Sequence, residues 1–465
     1  MNRLHNLIRA TPLVAALWLT GCVNLAPTLE RPALPVPAQL PAADGAAAGA
    51  VAQPTWQSVV QDANLSQVVE LALANNRDLK VSLLNVQRAQ AQLRLTDADR
   101  WPTLSAALIG QRAPNSEGVQ ATTLQAGLQL SSYEIDLLGR LRNASDAASA
   151  SLMGTEAAAR SARLALVSQT VGAWLTLAAD EEQLIRVRQQ LVAREETLRL
   201  TALRERVGAA SALDLQSAQS LVAAAKASAL QLERQKAQDK LALDLVVGKG
   251  VPAELLPTAA LTSRDWLAPV QAGVSSDALL SRPDVIQAEQ QLAAANANIG
   301  AARAAMFPRI VLSGSAGQVS SSLSTLFDGG HFAWSMTANA AMTLFDAGRN
   351  QANIKVSEVN RDIAVAQYEK AVQTAFREAA DALVSQGSWA QQVQAQQQLV
   401  AAERERTRLT RLRLQVGSAS LLETLETERS LASAEQALVQ VKLAELLNRM
   451  ALYKALGGDE ARQQR

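Results

Sequence analysis

Phe332-Ala333-Trp334-Ser335-Met336-Thr337-Ala338-Asn339-Ala340-Ala341-Met342-Thr343-Leu344 sets apolar side chains against small or polar ones at every second position. Period two belongs to a strand whose faces meet different surroundings. A half-buried strand of a soluble sheet also alternates, but this run is longer than the roughly 9–11 residues that cross a bilayer on a tilt. It reads as a strand between lipid and a wet lumen, with Phe332 and Trp334 as aromatic anchors near a membrane interface. The same signal occurs in Leu124-Gln125-Ala126-Gly127-Leu128-Gln129-Leu130-Ser131. Each run has a hairpin partner across a polar, Gly/Ser-rich link, Ala113 to Val119 and Ser320 to Gly330. The expected strands span about 103–113, 119–136, 308–319 and 331–346.

The two hairpins belong to two copies of one unit. Trp101-Pro102-Thr103-Leu104-Ser105 recurs as Phe307-Pro308-Arg309-Ile310-Val311, and Asp136-Leu137-Leu138-Gly139-Arg140 as Asp346-Ala347-Gly348-Arg349. Val207-Gly208-Ala209-Ala210-Ser211-Ala212-Leu213-Asp214 recurs as Val416-Gly417-Ser418-Ala419-Ser420-Leu421-Leu422-Glu423. A spacing of roughly two hundred residues excludes a solenoid and implies an internal duplication. In each copy a helical pattern precedes the hairpin, from Asn64 to about Arg100 and from Ser276 to Met306, and a Pro stops it. After each hairpin, Gly139 to Val207 and Gly348 to Val416 hold no Pro and place apolar residues three and four apart, as in Leu164, Val167, Val171, Trp174 and Ala178. At 1.5 Å per residue such helices reach roughly 100 Å. Gly208 and Gly417 suit left-handed C-caps. Ser211-x-x-Asp214 and Ser420-x-x-Glu423 read as N-caps of returning helices, the second as a full capping box.

The composition agrees with thin, closely packed helices. Hydrophobic residues make up 48% but aromatics only 3%, and alanine dominates. A net charge of +1 gives no support for nucleic-acid binding. One Cys excludes an internal disulfide, and with His5 in the leader only His331 is left in the body. No catalytic constellation, metal site or cofactor loop is expected, because Gly248-Lys249-Gly250 followed by Pro252 reads as a helix end.

Arg3 and Arg9 precede an apolar stretch, Ala10 to Leu19, too short to span a bilayer but fit for a signal peptide. It ends in Leu19-Thr20-Gly21-Cys22, which resembles the bacterial lipobox; Cys22 would be acylated, and Val23 rather than Asp implies transfer to the outer membrane. From Ala26 to Pro54 the chain is rich in Pro and Ala and reads as an extended tether. The expected organisation is signal peptide 1–21, lipid-anchored linker 22–61, first repeat 62–260, second repeat 261–458 and a tail, 459–465.

Four membrane strands cannot close, and an open sheet edge is not tolerated in lipid. Two copies would make a plugged eight-stranded barrel, and three would make twelve strands with room for a channel; geometry favours three or more. Over Cys22 to about Gly458 the chain resembles the TolC-like outer-membrane efflux channels, most of all the OprM and NodT-type lipoproteins. The motifs are Ala301-Ala302-Arg303-Ala304-Ala305-Met306-Phe307-Pro308-Arg309-Ile310, Leu312-Ser313-Gly314-Ser315, Leu344-Phe345-Asp346-Ala347-Gly348-Arg349 and the two Val-Gly turns. The resemblance implies a mainly α fold with transmembrane β: a trimeric channel with four barrel strands per chain above a long α-helical periplasmic barrel. It also implies a periplasmic adaptor, an inner-membrane RND-type transporter and passive exit of drugs or other small toxic compounds. By the same resemblance Val207, Gly208, Ser211, Val416, Gly417 and Ser420 form adaptor-docking tips. Leu422 and Glu426 form apolar and acidic rings at a periplasmic gate, though the family usually carries Asp at the position of Glu426. Two competing expectations are an exit duct for secreted polypeptides and a periplasmic coiled-coil lipoprotein without a pore.

Overall fold

The computed structural model describes residues 24–41, 54–114, 116, 118–270, 276–328 and 331–458. Cys22 and the tail 459–465 lie outside them. Among the described residues eight α-helices and four strands alternate as expected of two copies. They are α1 (Trp56–Val59), α2 (Ala63–Asn75), α3 (Arg77–Ala98), β1 (Thr103–Pro114), β2 (Gln120–Ile135), α4 (Arg140–Arg206) and α5 (Ala212–Val247). The second copy supplies α6 (Pro283–Ala304), β3 (Arg309–Ser320), β4 (His331–Ala341), α7 (Arg349–Gln415) and α8 (Leu421–Ala455). Both α4 and α7 have 67 residues. Among the described residues no helix is apolar enough over its length to cross a membrane.

Three expectations needed correction. The helix expected from Asn64 to Arg100 breaks at Asn76, which takes an extended ψ of 132°. Its side chain caps α3 by accepting from Leu79 N at 2.8 Å and donates to Val246 O at 2.7 Å, so it outcompetes the helical ladder. The helix expected from Ser276 begins as a 3₁₀ turn, Ser276–Ser281, and becomes α only at Pro283. Proline suits a first helical position but pushes the preceding residue, Arg282, off helix. Finally, β4 ends at Ala341 rather than near 346, because its register with β3 runs out at Arg309↔Ala341.

The chain divides into two compact units, and these are not the two sequence copies, since each copy contributes to both. One unit gathers the described residues of Met1–Ala33 with Asn85–Glu156 and Gln287–Glu369. Its sheet is antiparallel in the order β1-β2-β3-β4. The registers run Thr103↔Ser131 to Pro114↔Gln120, Leu124↔Ser320 to Ile135↔Ile310, and Arg309↔Ala341 to Val319↔His331. Every residue of β4 is exposed, Trp334 and Phe332 included, because among the described residues nothing covers either face or the outer edge. Beside the sheet, Ala147 and Ala150 of α4 pack on Ala294 and Ala297 of α6. Such small contacts let helices approach closely. At Gly300 a Cβ would lie 2.6 Å from the Asn143 side chain and 2.8 Å from Ala26, so only glycine fits there.

The other unit gathers Leu34–Leu84, Ala157–Ile286 and the described part of Lys370–Arg465. The indoles of Trp174 and Trp266 meet edge to face at 5.1 Å, and both N–H groups are satisfied, by Leu255 O at 3.0 Å and Leu261 O at 2.9 Å. Arg282, 4% exposed, donates to Asp284 and Glu378 at 2.7 Å and to Ala455 O at 2.9 Å. One buried guanidinium thereby ties α6, α7 and the end of α8 together, its charge doubly compensated. Val400 of α7 packs on Ala434 and Leu438 of α8, which holds the second long hairpin closed.

Candidate functional site: strand edges and helix tips

Three regions could carry a transport function, and each is built from local chemistry. The first is the sheet, which within this chain leaves the outer edges of β1 and β4 without strand partners among the described residues. Leu104, Leu108, Leu128, Phe332, Trp334 and Met336 are all more than half exposed on it. A bare strand edge flanked by apolar groups is an association surface in water and an impossibility in lipid.

The second region is the base of the sheet. Glu134, 9% exposed, accepts two hydrogen bonds of 2.7 Å from Arg140 in the first turn of α4, and two more from Arg309 in β3, at 3.0 and 2.5 Å. It joins two strands and a long helix through one carboxylate. Just before it the β2–β3 register jumps between Leu130 and Tyr133, and Ser132 takes a left-handed φ of 47°. A bulge with a strained non-glycine residue is affordable only where surrounding bonds hold it. Nothing local in the sequence announced this cluster, since Arg309 is distant in the chain.

The third region is the pair of hairpin tips. Gly208 and Gly417 both take φ 75°, and each turn closes with a bond from the following residue to the last helical turn: Ala209 N to Arg204 O at 2.7 Å, Ser418 N to Arg413 O at 2.8 Å. Val207 and Val416 are each 78% exposed. The capping roles are the reverse of the expectation. Ser211 and Asp214 form the complete box: Asp214 N donates to Ser211 Oγ at 3.1 Å and Ser211 N to Asp214 Oδ2 at 3.0 Å. The Ser211 hydroxyl, which donates to Asp214 Oδ2 at 2.7 Å, and then the Ser211 backbone N–H hold the Asp214 carboxyl below its usual range. Ser420 caps α8 by accepting from Glu423 N at 3.1 Å, but the Glu423 carboxylate is taken by Arg413 at 2.9 Å instead of reaching back.

One turn further along α8, Leu422 and Glu426 share a face at i,i+4 spacing. Leu422 is 74% exposed. Glu426 accepts from Arg429 at 2.7 and 3.1 Å, and this bond, with Arg406 nearby, keeps its carboxyl below the usual range. The acidic position is therefore half of an ion pair rather than a bare charge. The i,i+3 spacing of Glu426 and Arg429 was legible in the sequence but passed over. So was Leu213, the first-copy counterpart of Leu422, which is 75% exposed. The structure brings Leu422 and Glu426 together with Ser420, Gly417 and Val416 at one tip, and Val207, Gly208 and Ser211 at the other.

The model of the outer membrane efflux protein family matches residues 68–249 and 274–458. The chain is 40% identical to a probable efflux pump outer membrane protein, TtgC, of Pseudomonas putida, over 96% of this chain and 94% of that one. It is 37% identical to the cation efflux system protein CusC of Escherichia coli K12, over 96% and 98% of the two chains. The open state of the MtrE outer membrane channel of Neisseria gonorrhoeae superposes with a TM-score of 0.86 at 32% identity, over 94% of this chain and 98% of that one. This is the class of protein that the four-stranded open sheet and paired long hairpins define. The chain belongs to the outer membrane efflux protein family.

Proposed function

We propose that three copies of this chain close a twelve-stranded barrel in the outer membrane and form the exit duct of a tripartite efflux pump. The chain works as an outer-membrane efflux channel, passively conducting small toxic compounds to the outside. The observation that carries this is the open sheet: two bare edges and an uncovered apolar face call for sibling copies. Acylated Cys22 adds a lipid anchor to the inserted strands. A periplasmic adaptor docks on the tips at Val207, Gly208, Ser211, Val416, Gly417 and Ser420, where both valines stand clear of the chain. Behind the adaptor stands an RND-type inner-membrane transporter.

Leu422 and Glu426 narrow the periplasmic mouth. Rings of leucine resist wetting, and the Glu426–Arg429 pairs set the charge that an ion meets there. An efflux pump and a cation efflux system carry the names of the relatives, a spread that fits selection of cargo upstream of the duct. Planar-bilayer recording tests the gate. The native assembly should conduct weakly, and Leu422→Ser with Glu426→Ser should raise conductance severalfold; silence from both would refute the pore.

A further inference from the structure

At the base of β1 and β2, on the side away from the strand-connecting loops, lies a cavity of about 360 Å³. Arg100, Tyr133, Asp136, Leu137, Arg142 and Asn24 line it. Glu134 borders it too, but both its oxygens are engaged by Arg140 and Arg309. The two lining arginines are placed differently from that pair. Arg100 stands 3.9 Å from Asp97 and Arg142 stands 4.0 Å from Asp146, with all four side chains about half exposed. At those lengths the contacts are loose ion pairs and not hydrogen bonds, so the guanidinium donors are open to an incoming acceptor. Asp136, on the same lining, is held by its own contact to the chain, its Oδ2 accepting from Arg142 N at 2.8 Å. The cavity thus offers two guanidinium groups and one carboxylate across a space in the range of small-molecule sites and too small for acyl chains.

Its position gives the charges meaning. Trp101, 74% exposed, follows Arg100 directly, and Leu137 beside the cavity is 50% exposed. Exposed tryptophan at a strand end marks the level of lipid headgroups. Asn24 is two residues from Cys22, a reach of at most about 7 Å of chain. The bulge at Ser132 lies immediately before Tyr133, where sheet geometry is bent at a cost to the backbone.

We propose that this cavity holds the headgroup of an inner-leaflet phospholipid bearing a primary ammonium, its phosphate between Arg100 and Arg142 and its ammonium on Asp136. This rests on the reading that β1–β4 cross the outer membrane. Arginine forks match phosphate oxygens, and a primary ammonium donates to a carboxylate where a quaternary one cannot.

The test uses the full-length acylated protein in nanodiscs of phosphatidylethanolamine, phosphatidylglycerol and phosphatidylcholine in equal fractions. Lipid retained after detergent exchange is counted by mass spectrometry. Phosphatidylethanolamine should be retained preferentially and survive an excess of inorganic phosphate. Arg100→Gln with Arg142→Gln should lower retention about tenfold, and Asp136→Asn should erase the preference over phosphatidylcholine. Equal retention of all three lipids, displacement by inorganic phosphate, or an unaffected double variant would each overturn the inference. Should the variants fail to assemble, a photoactivatable phosphatidylethanolamine added to the native protein must label the Tyr133–Arg142 segment; labelling only elsewhere counts against the site. Protein that inserts with a strand signature but keeps no lipid here sinks this inference alone, whereas failure to insert sinks the channel.

Discussion

Replacing Glu134 by Gln keeps the shape of the cluster at the sheet base and removes its charge. Glu134 holds Arg140 through two bonds of 2.7 Å, and the Arg140 side chain is 31% exposed. Arg309 is 55% exposed, so its share falls toward the value of a surface pair, about 0–1 kcal/mol. The Arg140 share is larger because charge-assisted bonds at a nearly buried carboxylate are worth about 1.5–3 kcal/mol. Together the loss should be about 2–3 kcal/mol, up to roughly a hundredfold in the folding equilibrium. Urea unfolding of the purified assembly, followed by the strand signal of circular dichroism, gives the difference directly. Arg309→Gln should cost less than about 1 kcal/mol, and Glu134→Gln combined with Arg140→Gln should cost well below the sum of the two. An unchanged midpoint for Glu134→Gln would refute the reasoning, as would an Arg309→Gln effect of equal size.

Three further outcomes follow from particular residues. Asp180 of α4, 8% exposed, is pushed up to about 7 by burial and then by the carboxyl it shares a hydrogen bond with, Asp239 of α5. The folded state therefore holds a proton that the unfolded chain releases near 3.8, so this contribution to stability is full below 3.8 and is lost as pH rises through 7. Thermal melting should show Asp180→Asn flattening the fall in stability between about pH 4 and 7; a slope equal to the native one would contradict this. Gly417→Trp meets no atom within 4 Å of its Cβ but forces φ 75° on a bulky residue. It should leave assembly intact and lower pump-dependent drug resistance at equal expression, whereas undiminished resistance would remove the docking role. Cys22→Ser should abolish metabolic palmitate labelling while strands still insert, and persistent labelling would rule out Cys22 as the acylated residue.

What the sequence disclosed was whatever a short window can encode. The alternation around Trp334 and Leu128 gave four strands, and the Pro-free runs after Gly139 and Gly348 gave two helices of 67 residues. The Val-Gly turns gave both hairpin tips. Ends of elements were less legible, because they depend on partners. β4 stops where β3 stops pairing, and α2 breaks where Asn76 finds Val246 O. The capping boxes show the same limit. Asp214 and Glu423 look alike in one dimension, but only the second has an arginine, Arg413, close enough to draw its carboxylate away. Glu134 was invisible for a related reason, since its second partner lies 175 residues along the chain. For Leu422 and Glu426 the sequence placed the residues, and the structure adds the arginine that neutralises the acid.

The central claim is that a four-stranded sheet from one chain is completed by other copies of the same chain. The most direct measurement is the mass of the detergent-solubilised protein by native mass spectrometry, taken together with its strand content. Three chains in one particle with intact strand signal is the predicted result. A stable single chain that keeps its strands, and with them two open edges in detergent, would contradict it.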